Sequence, residues 1–180
     1  MKKFGFVYSF IPLAVAITLL SLMTYGVAQQ SIRIGSYNPQ IQMAEDAAAD
    51  VAHGIKPETV IPTKTIDVSA SLAPFMIVYD DRGTVLASNV VLNGKVPQIP
   101  PGVLDFAREK RQDRLTWQPA PDVRAAVVVA RYVGNKPGFV LAGRSIREVE
   151  NLTEKLFFDV AVGWAVAMAA TFVAAWIFRR

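Results

Sequence analysis

The run Phe75-Met-Ile-Val-Tyr-Asp-Asp-Arg-Gly-Thr-Val-Leu-Ala-Ser88 decides the fold of this chain. Apolar and β-branched residues fill Phe75–Tyr79 and Thr84–Ala87, and Asp80-Asp81-Arg82-Gly83 supplies turn chemistry between them. The stretch therefore reads as two short strands joined by a tight turn. Downstream, Arg114–Gln118 reads as a third strand and Pro119–Asp122 as a turn. Val123–Val133 is a fourth strand, so apolar through Ala125–Ala130 that it belongs at the centre of a sheet with both faces covered. After the turn Gly134–Gly138, Phe139–Arg144 returns as a fifth strand.

Helical signals surround these strands. Asn38-Pro39 reads as a helix start, with Asn38 as the cap and proline at the first helical position. Pro39–His53 then places Ile41, Ala44, Ala48 and Val51 on one narrow stripe suited to lying across a sheet, and Gly54 closes the helix. Ile55–Ala73, punctuated by prolines, reads as a loop with a short extended piece. Asn89–Pro101 is a long connection of the kind that carries binding function. Gly102–Lys110 reads as a short helix with Val103, Phe106 and Ala107 inward, and Arg108–Arg114 as a solvated surface of mixed charge. Ser145-Ile-Arg-Glu148 has the spacing of a capping box. The helix it opens shows Ile146, Val149, Leu152 and Leu156 on one side and meets no breaker before the next apolar run.

Two membrane-length segments flank all of this. Phe4–Val27 holds no charged residue and is long enough to span a hydrocarbon core. Two readings fit it: a retained anchor, favoured by its length, and a signal peptide cleaved near Gly26-Val27-Ala28. Val160–Phe178 is the second span, with Ala161, Ala165 and Ala169 recurring every fourth position. Such a row permits close approach of the first span or of a second copy, though an alanine-rich membrane helix also occurs without one.

Charge is informative by location. Of 19 Lys and Arg, four (Lys2, Lys3, Arg179 and Arg180) lie outside the two apolar segments, and the remainder equals the 15 acids, so the whole formal excess of +4 sits at the ends. By the positive-inside rule both termini are cytoplasmic and the central domain lies in the periplasm or outside the cell. The high pI is thus a topology signal, and no nucleic-acid partner is expected. The chain has no cysteine and a single histidine, His53. No metal site is expected around it, and a polar helix end is the better reading. No cofactor is implied. No catalytic serine–histidine set, phosphate-binding glycine loop or zinc spacing is present, so the protein is expected not to be an enzyme. Asp80 and Asp81 read as turn formers.

A membrane helix, an amphipathic helix, about five antiparallel strands with one helical crossover and a second membrane helix together resemble a known family. That family is the extracytoplasmic PAS-like or single Cache sensor domain of bacterial membrane receptors. Phe75–Ser88, Val123–Tyr132 and Phe139–Ser145 leading into Ile146–Lys155 carry the resemblance, which covers roughly residues 39–155. It implies an α+β fold: residues 1–28 as the first anchor, 29–155 as the PAS/Cache-like domain with a long N-terminal helix, and 156–180 as the second span with a short tail. It implies a ligand between the sheet and the Asn89–Pro101 connection, lined by Tyr79, Trp117, Arg124, Arg131 and Arg144. Arginines and aromatics suit a small carboxylate or an amino acid. Arg124, Ala126, Val128, Ala130 and Tyr132 share one strand face and Arg131 points the other way, so at most one of Arg124 and Arg131 faces that pocket. Surface salt bridges explain each arginine equally well.

Receptors of this family continue into a cytoplasmic signalling module. This sequence ends at Arg180, which predicts lateral signalling to a partner in the bilayer. Two functions follow. One is a sensor module that binds a small ligand and reports to a membrane protein or a second copy through Val160–Phe178. The other is a structural or accessory subunit of a membrane complex, which predicts a filled core.

Overall fold

The Phe75–Ser88 run forms the expected pair of strands in the computed structural model, which describes residues 3–35 and 37–177, with side chains from residue 10 onward. In chain order the elements are α1 (Lys3–Gly35), α2 (Asn38–Ala52), α3 (Pro57–Val60), β1 (Ile66–Asp67), β2 (Phe75–Asp80), β3 (Val85–Ser88) and β4 (Val90–Val91). Then follow α4 (Pro101–Lys110), β5 (Gln112–Ala120), β6 (Val123–Tyr132), β7 (Gly138–Ser145) and α5 (Arg147–Ile177). The chain divides into two compact units. One holds the residues up to Arg33 with those from Val149 onward; the other is Ile34–Glu148.

Ile34–Glu148 is built on a five-stranded antiparallel sheet in the order β3-β2-β7-β6-β5. The apolar run in β6 does lie inside the sheet, and Ala125–Ala130 are all buried. β7 holds the centre, pairing with β2 from Phe75↔Gly143 to Asp80↔Gly138 and with β6 from Ala125↔Ser145 to Tyr132↔Gly138. Strand alternation sorts the side chains onto two faces. Met76, Val78, Val128, Ala130, Tyr132, Val140 and Ala142 meet Ala44, Ala47 and Ala48 of α2. Phe75, Ile77, Tyr79, Trp117, Val127, Val129, Phe139 and Leu141 meet Leu104 and Ala107 of α4, together with Ile66, Val90 and Ile99. Alanines let α2 lie close against the first face.

β1 and β4 form a short parallel ladder, Ile66↔Val90 and Asp67↔Val91. Buried Asn89 ties it to the sheet: its Oδ1 accepts from Met76 N at 2.7 Å and its Nδ2 donates to Lys64 O at 3.2 Å. The turn between β2 and β3 is what its residues dictate, with Asp80 Oδ1 accepting from the backbone of Arg82 at 2.9 Å and Thr84 at 2.7 Å. Partial burial pulls the Asp80 carboxyl upward, but these amides and the Arg82 charge outweigh it and hold it below its ordinary value.

Several local expectations need correction. Asn38 does not cap α2: Tyr37 occupies the cap position without a side-chain bond, and Asn38 is already helical. Proline at the second helical position fixes the start without help from Asn38. Phe106 is 48% exposed, and Leu104 is buried in its place. Pro57–Val60 coils into a single helical turn within the expected loop. β5 starts at Gln112 and reaches Ala120, so the turn shrinks to Pro121-Asp122. The capping box does not close. Ser145 Oγ accepts from Arg147 N at 3.4 Å, while Glu148 turns to Arg144.

In the other unit, α1 and α5 each contain a window of mean hydropathy 2.0, unburied by the protein, and are long and apolar enough to cross a bilayer. They lie antiparallel, with Phe10 against Phe172, Thr18 against Trp164 and Tyr25 against Phe157. Trp164 Nε1 donates to Thr18 Oγ1 at 3.0 Å. Pro12 is accommodated inside α1, and the helix continues past Val27 to Gly35. Lys2, Phe178, Arg179 and Arg180, on which the topology and the end of the second span rest, lie outside the described residues, as does the side chain of Lys3.

Candidate functional site

The space between the sheet and the Asn89–Pro101 connection is occupied by side chains. Tyr79 is 1% and Trp117 4% exposed, both within the cluster that includes Phe75, Val90, Ile99 and Phe139. The Phe75 and Trp117 rings meet tilted, with centroids 6.4 Å apart. Tyr79 and Trp117 are thus brought together, but as packed core. Burial pushes the Tyr79 hydroxyl well above its ordinary range, and its Oη has no hydrogen-bond partner among the described residues.

Arg124 and Arg144 are placed elsewhere. Both are exposed, and they sit on adjacent strands near the start of α5, with Ala126 opposite Arg144 and Ile146 N donating to Arg124 O at 3.0 Å. Arg144 belongs to a latch. Its Nε donates to Leu72 O at 3.0 Å and its Nη2 to Glu148 Oε2 at 3.1 Å. One turn on, Arg147 donates to Ala70 O at 3.1 Å and Ser69 O at 3.4 Å. The loop that leads into β2 is in this way bound to the last strand and to the first turn of α5. Asp67 shapes the same loop by accepting from Ser69 Oγ at 2.6 Å and Ser69 N at 2.9 Å, bonds that lower its carboxyl below the ordinary value.

An open cleft lies at another corner of the sheet, where β6 ends, β5 begins, and the last turns of α2 and α4 flank it on the two faces. This cleft has a volume of about 800 Å³. Ala48, Ala49 and Ala52 of α2 and Ala130 of β6 leave it unfilled, and Glu45, Arg108, Glu109, Arg111 and Arg131 contribute charge to its walls. Arg131 points to the α4 face, as the strand alternation requires, and Arg124 does not line the cleft. Arg131 also bolts down the end of α4: Nη1 donates to Arg108 O and its backbone N to Arg111 O, both at 2.9 Å. Helix carbonyls left without partners at a C-terminus are satisfied this way. Arg108 is held by Asp105 at 2.5 Å, by Asp81 O at 2.7 Å and over the Phe139 ring at 5.2 Å.

Sequence reasoning singled out Arg131 but missed the rest of the cleft. Glu45 and Ala49 lie on the exposed side of an alanine-rich helix, and nothing in their spacing places them beside residue 111. One signal was legible: Arg111 follows a helix without the glycine that ordinarily ends one, and it takes φ +68°. His53 is a polar helix end whose Nδ1 lies 2.7 Å from Ala49 O. Among the described residues no group of three or more His, Cys, Asp or Glu is placed to hold a metal ion. Compared with protein-family models, with curated proteins and with solved structures, the chain matches none of them.

Proposed function

We propose that this protein is a bilayer-anchored sensor module of PAS/Cache-like architecture, whose exported domain binds a small ligand and reports laterally to a partner in the membrane. The observation that carries this reading is the joint after β7. A single residue, Ile146, separates the central strand of the sheet from α5, and α5 then runs unbroken to Ile177 through the apolar segment. A ligand that prefers one arrangement of the sheet and its flanking helices biases that strand, and α5 is the stiff element that follows it directly in the chain. The Arg144 and Arg147 bonds to Ser69, Ala70 and Leu72 make the joint a defined contact. Residues 1–28 and 156–180 serve as anchors with cytoplasmic ends.

The test is thermal melting of the full chain in detergent or nanodiscs against small acids, amines, amino acids and sugars. A ligand at about a hundred times its dissociation constant adds roughly 2.7 kcal/mol to the folded state. For a domain of this size that is a shift of several degrees. A reproducible shift supports the sensor. A second reading, an accessory subunit that uses the fold as a docking surface, draws on the filled interior around Tyr79 and Trp117. A chain that ignores the whole panel and co-purifies with one integral membrane protein would favour it.

A further inference from the structure

We infer that the cleft between the last turns of α2 and α4 is the ligand site, and that it takes a small zwitterion carrying a carboxylate and a protonated amine. This inference rests on the sensor reading and names its site and ligand class. The first support is charge that the protein leaves unused. The Arg108 and Arg131 bonds described above are internal, but Arg111 and Glu109 make no ion pair or side-chain hydrogen bond among the described residues. Glu45 uses one carboxylate oxygen, accepting from Gln112 Nε2 at 2.8 Å.

The second support is the fields around the cleft. The C-terminal turns of both helices border it; Arg131 already caps the end of α4, and the negative end of the α2 dipole favours an ammonium. Arg111 and Arg131 supply guanidinium groups for a carboxylate. A bare anion would meet two carboxylates and the C-terminus of α2, and a bare amine would meet three arginines, Arg108 among them. A ligand with both charges satisfies each wall. The alanine floor leaves room for an apolar substituent. The third support is Arg111 itself. It ends α4 at φ +68°, where glycine is the ordinary residue, so a guanidinium stands at the cleft wall that the helix end itself does not need.

The experiment is isothermal titration and thermal melting of the full chain in nanodiscs with L-alanine, L-leucine and L-glutamate, beside acetate and ethylamine as half-ligands. At least one amino acid is expected to raise the midpoint by several degrees, with neither half-ligand doing so at equal concentration. Arg111→Gly suits the backbone and removes the guanidinium; it should weaken binding at least tenfold. Glu45→Gln keeps the Gln112 contact and removes the charge, and should weaken binding similarly. Ala49→Trp fills the cleft from an exposed position and should abolish binding. Amino-acid binding that survives all three variants would overturn the site. Equal responses to acetate or ethylamine, or a response to another compound class only, would overturn the zwitterion while leaving the sensor reading standing. No response to any small molecule would overturn both.

Discussion

Gly143→Ala probes whether the interior beneath the Asn89–Pro101 connection is filled as described. Gly143 sits on β7, the central strand, opposite Phe75 on one side and Val127 on the other. A Cβ there would lie 2.5 Å from Phe75 Cζ, 2.7 Å from Phe75 Cε2 and 2.8 Å from Val127 Cγ1. Ordinary carbon contacts are about 3.5–4.0 Å, so the Phe75 ring would have to move by roughly 1 Å. Phe75 and Val127 are both 0% exposed and the ring has Trp117 beside it, so there is nowhere to move. Overpacking of this kind costs about 1–3 kcal/mol, from which a strand Gly→Ala replacement recovers about 0.5–1. The close contacts on two sides place the net near 2 kcal/mol. In a Trp164→Phe, Trp176→Phe background, Trp117 is the only tryptophan, and urea unfolding can be followed through its fluorescence excited at the indole edge. With a slope of about 1.5 kcal/mol per molar, the midpoint should fall by about 1.3 M. Phe75→Leu makes room, so the double variant should be more stable than the two single losses predict by at least about 1 kcal/mol. A Gly143→Ala midpoint within about 0.2 M of the parent, or strict additivity, would refute the packing and reopen that space as a ligand pocket.

Further expectations follow from other contacts. Asn89→Ala leaves the buried Met76 amide and the Lys64 carbonyl without their side-chain partner and should cost about 1–3 kcal/mol, and Asn89→Asp, which buries a carboxylate against the Lys64 carbonyl, should cost at least as much in the same unfolding assay. Arg147→Ala should change global stability by less than about 1 kcal/mol, because its bonds are exposed, yet hydrogen exchange should quicken selectively around Ser69–Leu72. Tyr79 and Tyr132 hold their protons to higher pH when folded, Tyr79 through burial and Tyr132 through burial and then the nearby Asp80 and Asp81 charges. The unfolded chain therefore releases protons first, and stability should be level below about pH 10 and fall above it in alkaline melts. Asp67 and Asp80 shift the opposite way, so their contribution should be present above about pH 4 and fade as pH drops further, an effect that Asp80→Asn should reduce.

Much of the fold was legible because its signals are local. Phe75–Ser88 carried strand and turn chemistry in one stretch. The β6 run Ala125–Ala130 announced a covered strand by having no polar face, and Gly54 marked the end of α2 by taking φ +94°. What failed were features decided by partners distant in sequence. Glu148 had capping-box spacing, but the guanidinium of Arg144 offered a stronger charge-assisted bond than a backbone amide. Phe106 fitted the helical stripe of α4, but Leu104 and Ala107 face the sheet and only so much of a ten-residue helix can be covered. Tyr79 and Trp117 looked like polar interruptions of apolar strands, whereas their rings are core bulk. The cleft was invisible for a related reason: its alanines and Arg111 come together only when the end of α4 meets the corner of the sheet.

The most direct test of the account is where the domain resides. The chain has no cysteine, so a single introduced thiol reports without background. Lys136→Cys lies in the exposed turn between β6 and β7, and Lys2→Cys precedes the first apolar segment. Treated in intact cells with a membrane-impermeant maleimide, Lys136→Cys should label at once and Lys2→Cys only after the membrane is permeabilised. Labelling of Lys2→Cys with Lys136→Cys protected, or recovery of the protein from the soluble fraction without its first segment, would contradict a two-anchor exported module.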